Sequence, residues 1–361
     1  MPKNTKANPN AASVPACTIG LDLSDRSIRF CMLNAGGEVT RHGRFRLNRS
    51  ELHQQFAGMT RARIALETGA QSAWVSEALA AMGHEVIVAN ARDVKSIAGS
   101  SRKSDARDAE QLARLARLDP KLLHPIQHRS EERRLDMVLI RSRALLVEAR
   151  TRLVNGGRAM AKEFGERIPS CATQGFATRA IKALSPRLAA VLQALLQQIE
   201  NLSAEIERCD EQVEAMAQKL STDTAWLRQV HGVGSLTAVT FVLTVGDPHR
   251  FAHSRDVGAY LGLIPRRSQS GVHDPQLGIS KCGDRYLRKL LVQCSHHILG
   301  IHGPDSALRQ WGLRHTQGGA GSKKKATVAV ARKLAVLLHR LWKDRACYYP
   351  LPPQAMNMPC A

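Results

Sequence analysis

The chain has 361 residues, of which 43% are hydrophobic, enough for more than one domain core and too many for a disordered chain. Its 52 Lys and Arg against 31 Asp and Glu give a formal net charge of +21, which is typical of proteins that bind a polyanion. No run reaches the roughly 18 apolar residues of a membrane span, and no secretory signal opens the chain. We therefore expect a cytoplasmic, nucleoid-associated protein without a membrane partner. The 8 cysteines lack C-x-x-C spacing, which favours reduced thiols over disulfides or a zinc site.

The first part of the chain predicts a mixed α/β domain. Residues 1–15 are rich in Asn, Ala, Pro and Lys, and we expect a disordered leader there. The hydrophobic pattern then predicts strands at 18–23, 27–33, 38–47, 63–67 and 84–90 and helices at 49–59, 72–82 and 105–118. A meander followed by crossover helices predicts a mixed sheet covered by helices, in the order of ribonuclease H-like nucleases. We place this domain at residues 16–124.

Residues 125–221 predict a helical region. A first apolar stripe consists of Leu135, Leu139, Leu146, Ala149 and Leu153. An irregular stretch is expected around Gly156, Gly157 and Gly165. A second stripe follows in steps of four and three: Leu188, Leu192, Leu195, Ile199, Leu202, Ile206, Cys209, Val213, Met216 and Leu220. This heptad spacing is typical of a coiled coil. Its partner is either the first stripe, in an antiparallel hairpin, or another subunit, and we expect both to be used.

Residues 222–345 predict a basic, mainly helical domain, followed by a tail at 346–361. The domain carries 19 Lys and Arg against 7 Asp and no Glu, as expected of a surface that neutralises phosphates. Within it, Val230–Gly234 precedes an apolar helix and resembles a helix-hairpin-helix, whose Gly232 and Gly234 would let backbone N–H groups approach a DNA phosphate. A plain turn is the alternative.

Four carboxylates are candidates for metal binding. Asp22 lies within the first strand, where a charge is costly unless it is paired or bound to a metal. Glu67 ends the fourth strand. Asp105 and Asp108 lie at the start of the predicted helix 105–118, three residues apart and therefore on one face of it. Together they could hold two Mg²⁺ ions at a phosphodiester, with Mn²⁺ as an alternative ion. Taken singly, each also has a structural explanation, such as a helix cap or a surface position.

A serine in an arginine-rich loop is a second candidate. Ser270 precedes Gly271 and follows Arg266 and Arg267. Such a hydroxyl could attack phosphorus while the cations stabilise the developing charge, or it could simply contact phosphate. Further basic residues expected to bind nucleic acid are Lys281, Arg285 and Arg288.

Several short motifs resemble the IS110/IS1111-type transposases. In chain order they are Gly20-Leu21-Asp22, Leu66-Glu67-Thr68-Gly69, Lys103-Ser104-Asp105-Ala106-Arg107-Asp108-Ala109, Val230–Gly234, Gly246-Asp247, Arg250-Phe251, Tyr260–Arg267, Ser270-Gly271, Ile279-Ser280-Lys281, Gly283-Asp284 and Leu287-Arg288. The resemblance runs from about residue 17 to residue 345.

This resemblance implies a RuvC-like DEDD domain and a C-terminal transposase domain. It implies that Asp22, Glu67, Asp105 and Asp108 bind the metal and that Ser270, with Ser268 as the nearby competitor, forms a phosphoserine link to DNA. It further implies a noncoding guide RNA that pairs with donor and target DNA. Dimers to tetramers are expected, in which the acidic domain of one subunit meets the serine domain of another.

Two alternatives remain open at this point. A RuvC-like junction endonuclease would use the carboxylates and a metal-activated water and would not need Ser270. A non-catalytic helix-hairpin-helix protein would bind nucleic acid and use the carboxylates only structurally.

Overall fold

The chain forms two compact units, residues 1–128 and 129–361. The structure is a computed structural model, and it describes residues 16–90, 105–268, 275, 277–316 and 320–351. The leader expected at residues 1–15 and most of the tail lie outside the described residues. Among the helices of the described residues, none combines the length and the apolar character needed to cross a bilayer.

The first unit is built on a five-stranded mixed sheet. Its elements are β1 (Cys17–Leu23), β2 (Ser27–Asn34), β3 (Val39–Arg46), α1 (Arg49–Phe56), β4 (Arg63–Glu67), α2 (Ser72–Ala81), β5 (Glu85–Ala89) and α3 (Asp105–Leu118). The strand order is β3-β2-β1-β4-β5. Strands β1 to β3 pair antiparallel, whereas β4 is parallel to β1 and to β5. The α/β prediction is confirmed, and the topology is consistent with a ribonuclease H-like domain.

Strand alternation divides the core of this unit between the two faces of the sheet. Leu21 and Leu66 pack with Phe56 and Leu79 of α1 and α2 on one face. On the other face Ala65 packs with residues of α3. The central strands β1 and β4 are covered on both faces, which explains their nearly continuous apolar sequence.

The regular elements of the second unit are helices in its described part, apart from one isolated antiparallel bridge between Pro265 and Ile279. Its helices are α4 (Glu131–Glu163), α5 (Phe176–Ala183), α6 (Pro186–Lys219), α7 (Ser221–Arg228), α8 (Ser235–Val245), α9 (Asp256–Tyr260), α10 (Arg285–Leu299), α11 (Ala307–Arg314) and α12 (Ala320–Asp344). Its largest apolar cluster joins α8, α10 and α12 through residues such as Phe241, Leu291 and Leu334. Helix α8 is buried on all sides, in keeping with its lack of any charged residue.

Helices α4 and α6 pack antiparallel. Arg143 pairs with Asp210 at 2.5 Å, and Arg150 Nη1 donates to Ser203 Oγ at 3.1 Å. Residues later in α4 therefore contact residues earlier in α6. The second stripe contributes buried residues from Leu188 to Met216. Whether this region also pairs with another subunit remains a prediction.

The first stripe matches the packed face of α4 only in part, since Leu139 and Leu153 pack against core clusters and other members of the stripe do not. The buried residues of this helix include Met137, Ile140 and Val154, whereas Leu135 is 63% exposed. The residues Gly156 and Gly157, expected in an irregular stretch, lie inside the helix. Gly157 is buried there because Leu195 of α6 approaches to 3.3 Å from where a Cβ would stand.

Candidate active site

Two of the four candidate carboxylates lie side by side at one end of the sheet. Leu21 and Leu66 are register partners in the parallel pair β1 and β4, so Asp22 and Glu67 follow at the same level on neighbouring strands, about 4.8 Å apart. Gly20 and Ala65, two residues earlier, face α3. By alternation Asp22 and Glu67 project to that same face, and both are half-buried.

Helix α3 runs over this face with its N-terminus towards the carboxylates. Ala109 lies against Gly20, and seven residues later the Ala116 carbonyl accepts from Arg63 Nη1 at 3.2 Å. Arg63 is the register partner of Thr18, at the opposite end of β1 from Asp22. The helix is therefore antiparallel to β1, and its first turn, with Asp105 and Asp108, is at the Asp22 end.

Positions 105 and 108 of α3 are three residues apart and therefore lie on neighbouring rows of one helix face. Position 105 is four residues before Ala109, which packs on the β2 side with Cys31 and Leu33. Asp108 is four residues before Leu112, which packs on the β4–β5 side with Ala65 and Ile87. The two positions thus flank the strip of sheet that carries Asp22.

The close approach of α3 requires the glycine of the Gly20-Leu21-Asp22 motif. A Cβ on residue 20 would stand 1.9 Å from the Ala109 carbonyl oxygen and 2.6 Å from the Ala113 nitrogen. No real Cβ makes such contacts, so a side chain at position 20 would displace the helix.

The chemistry of these groups fits a hard divalent ion, because carboxylate oxygens are the ligands that Mg²⁺ and Mn²⁺ prefer. Within the described part of the chain no three Asp, Glu, His or Cys side chains form a ready metal-binding group. The side chain of Asp105 lies outside the described residues, so only three of the four candidate carboxylates, those of Asp22, Glu67 and Asp108, belong to the described part. The metal site remains a prediction.

The predicted nucleophile Ser270 lies outside the described residues, whereas the segments on either side of it are described. Pro265 and Ile279 form an antiparallel bridge. The Arg266 nitrogen donates to the Gly278 carbonyl at 3.0 Å, and the Ser280 nitrogen donates to Ile264 at 2.8 Å. Ser268, the competitor, is exposed.

We call residues 266–276, which include Ser270, the serine segment. Two glycines at its base pack with their backbones directly against neighbouring backbone. Gly262 has a φ of +68°, and a Cβ there would stand 2.2 Å from the Cys282 carbonyl oxygen. Gly283 has a φ of +76°, and a Cβ there would stand 2.1 Å from the Tyr260 carbonyl oxygen. Left-handed backbone and lack of space both demand glycine, which explains these parts of the motifs.

The basic residues expected to bind nucleic acid fall into two groups. Arg266, Arg267, Lys281 and Arg285 are exposed. Arg288 is half-buried, and its Nη1 donates to the carbonyl oxygens of Leu261 at 3.1 Å and Cys282 at 2.5 Å. Arg288 thus ties the base of the serine segment together, as Arg63 ties α3 to the sheet. These positioning roles were missed because a sequence does not reveal where an arginine side chain ends.

The Val230–Gly234 motif forms the turn between α7 and α8. The Val233 nitrogen donates to the Val230 carbonyl at 3.0 Å, and Gly232 has a φ of +84°. Gly234 caps the N-terminus of α8 without a side-chain hydrogen bond. A Cβ on Gly234 would meet nothing within 4 Å among the described residues. The helix-hairpin-helix interpretation remains a prediction.

A mixed sheet with strand-end carboxylates, joined to a basic helical unit, defines a class of DNA-processing enzymes. Residues 19–165 match the DEDD transposase model of the IS110 type, and residues 224–309 match the model described as the transposase IS116/IS110/IS902 family. The chain belongs to this family of insertion-sequence transposases, and the resemblance stated from the motifs is confirmed.

Individual relatives cover most of the chain. The chain is 30% identical over 310 residues to the transposase for insertion sequence element IS1328 of Yersinia enterocolitica, covering 81% of this chain and 87% of that one. It is 29% identical over 291 residues to the transposase for IS1111A of Coxiella burnetii, with 78% and 77% covered. A probable family 20 transposase of Pseudomonas aeruginosa is 29% identical over 343 residues, with 92% and 98% covered. As a transposase, the chain is an enzyme that acts on DNA, and its DEDD domain indicates dependence on a divalent metal.

Proposed function

We propose that this transposase cuts and rejoins DNA through a phosphoserine intermediate formed by Ser270, assisted by Mg²⁺ held by Asp22, Glu67, Asp105 and Asp108. The proposal that the four carboxylates bind a metal is supported by one observation: β1, β4 and the start of α3 meet at one end of the sheet. Bound there, the ion would polarise a phosphodiester oxygen and offset its negative charge.

The proposal that Ser270 is the nucleophile is supported by the described residues on either side of it. The base of the serine segment is fixed by Gly262, Gly283 and Arg288, and the segment carries the exposed cations Arg266 and Arg267. In the proposed step the Ser270 hydroxyl oxygen bonds to phosphorus, its proton passes to solvent or a nearby base, and the 3′ or 5′ oxygen of the cut strand leaves. Attack by the freed DNA hydroxyl reverses the link and releases the serine.

We further propose that a noncoding RNA of the element pairs with donor and target DNA and that the protein acts as a dimer or tetramer. The excess of Lys and Arg in residues 222–345 supports binding of two nucleic acids at once. Sequence choice would then lie in base pairing, and the protein would hold backbone and shape.

The experiment that tests the chemistry compares Ser270→Ala with Ser268→Ala in cleavage of element-junction DNA with the flanking transcript and Mg²⁺. We expect Ser270→Ala to abolish strand cleavage and Ser268→Ala to retain it. Cleavage that persists in Ser270→Ala and is lost in Asp22→Asn would instead identify a junction nuclease that uses a metal-activated water.

A further inference from the structure

A groove of about 1240 Å³ lies beside the serine segment in the second unit. Its walls are α11, α12, the residues 263–265 and 277–279 that flank the serine segment, and the C-terminal stretch Tyr348–Pro350. None of the residues assigned above to metal binding or catalysis lines it.

The floor of the groove is apolar and aromatic. Leu263, Val328 and Leu337 contribute aliphatic surface, while Trp311, Tyr348 and Tyr349 contribute rings. Aromatic residues make up only 4% of the chain, so three rings in one groove are a marked local concentration. Flat, partly exposed rings are the surfaces on which unpaired bases stack.

The rim of the groove is uniformly basic. Its charged residues are Lys324, Lys325, Arg332, Lys333 and Arg340, all exposed. No Asp or Glu is among the described residues that line the groove. Only Arg340 makes an ion pair within the described parts of the chain, with Asp344 at 3.6 Å. The rim therefore complements a polyanion.

Contacts among its own residues stabilise the groove. The His315 ring stacks on the Trp311 ring, with the two centroids 4.3 Å apart. Lys333 Nζ lies 4.1 Å from the centre of the Trp311 ring, and the Ala307 nitrogen donates to the Pro350 carbonyl at 2.7 Å. The Tyr348 nitrogen donates to Gln229 Oε1 at 2.8 Å. A base would reach the face of Trp311 that Lys333 covers by displacing this exposed lysine side chain.

We propose that this groove binds an unpaired DNA strand, with its bases on Trp311, Tyr348 and Tyr349 and its phosphates on the basic rim. A duplex would offer the phosphates but not the base faces that the apolar floor fits. The inference rests on the proposed function, because strand cleavage beside Ser270 is what would supply an unpaired strand next to Pro265 and Ile279.

The test uses full-length protein carrying Ser270→Ala, so that binding is measured without chemistry. Fluorescence anisotropy with labelled oligo-dT should give about tenfold weaker binding for Trp311→Leu, with near wild-type binding for Trp311→Phe, which keeps a ring. Binding of a labelled duplex should change little in either variant. A melting curve for each variant separates lost stacking from lost folding.

The rim is tested by a matched pair of double variants. Lys324→Gln with Lys325→Gln should lower the slope of log affinity against log salt for oligo-dT by about 1.4, from about 0.7 for each phosphate contact. Lys182→Gln with Arg187→Gln removes the same charge from exposed positions outside the groove and should change that slope less.

Three results would overturn the proposal. An equal decrease of the salt slope in the two double variants would mean that the rim residues act only through the net charge of the protein. Loss of oligo-U binding alone would assign the groove to RNA. Unchanged oligo-dT affinity in Trp311→Leu would mean that no base stacks on this ring. A failed phosphoserine assay would leave these binding results intact, so the two proposals can fail separately.

Discussion

At the scale of single residues, the central pair is Asp22 and Glu67. Strand alternation and parallel register bring them to one face at one level, next to apolar neighbours such as Leu21 and Leu66, which are fully buried. A cation bound between two such carboxylates would offset the repulsion between their charges.

The variant Asp22→Asn should therefore abolish metal-dependent cleavage without loss of folding. Metal binding should be lost because a neutral amide is a weaker ligand for Mg²⁺ than a carboxylate. Folding should be retained because the substitution removes one of two neighbouring negative charges. Strand cleavage on a gel and thermal melting measure the two effects. Asp25→Asn, the same change at an exposed position three residues away, is the control and should cleave like the wild type.

A buried histidine in the second unit supports a pH prediction. His339 is fully buried, its Nε2 donates to the Pro248 carbonyl at 2.9 Å and its Nδ1 accepts from Ser254 Oγ at 3.0 Å. Burial lowers the pKa of His339, and the bond to Pro248 only partly offsets this.

Because the unfolded imidazole takes a proton near 6.5 and the folded one only at lower pH, the stabilisation from neutral His339 is complete above that value. It is lost as pH falls from there towards the folded pKa. Denaturant titrations across this window should show a steeper fall in unfolding free energy for the wild type than for His339→Gln. Equal slopes would contradict the assignment.

At the scale of elements, α3 and the serine segment are both positioned by glycine contacts and one arginine. Gly20→Ala should destabilise the first unit by about 1–3 kcal/mol, the usual cost of overpacking, because the new Cβ meets the backbone of α3. Cleavage should fall with it, since α3 carries Asp105 and Asp108. Gly58→Ala, where a Cβ meets nothing described within 4 Å, is the control in the same melting experiment.

Arg288 and Arg285 allow a paired prediction on α10. Arg288→Gln should lower the unfolding free energy by about 1–3 kcal/mol, because carbonyl oxygens at the base of the serine segment lose their donor. Arg285→Gln should leave stability unchanged and weaken DNA binding uniformly across sequences. If Arg288→Gln melted like the wild type, its bonds to Leu261 and Cys282 would have no structural role.

The sheet and α3 could be read from the sequence because their signals are local. Hydrophobic periodicity and turn residues predicted strand β4 at its observed limits of Arg63–Glu67 and α3 at its observed limits of Asp105–Leu118. Gly83 predicted the end of α2 to within one residue. The prediction for Leu135 on α4 was wrong because Leu135 and Met137 are both apolar, and only the position of α6 decides which of them is buried. The contact of Gly20 with Ala109 joins residues 89 apart in sequence, and no local pattern reports it.

At the scale of the whole molecule, oligomerisation stays a prediction with a definite surface. After α4 and α6 pack together, Leu135, Val138 and Leu145 remain 58–67% exposed on one side of α4. Apolar side chains spaced by three and seven form a stripe that a second helix could cover. Of these three residues only Leu135 belongs to the first stripe predicted from the sequence.

We therefore expect Leu135→Glu combined with Leu145→Glu to lower the mass measured by analytical ultracentrifugation, with the melting temperature unchanged. Leu153→Glu would not be a fair control, because that residue packs against the core near Phe176. Arg141→Glu with Arg152→Glu, exposed positions on the same helix, serve instead. An unchanged mass in the leucine variant would remove this stripe from the interface.

The central claim is that Ser270 joins covalently to DNA with help from a metal held by the strand-end carboxylates. The most direct measurement mixes the protein with labelled element-junction DNA, the flanking transcript and Mg²⁺, then denatures the mixture and separates it on a gel. Label should remain with wild-type protein and be lost in Ser270→Ala, in Asp22→Asn and on chelation of the metal. Cleaved DNA without any protein-bound label, unchanged in Ser270→Ala, would contradict the account.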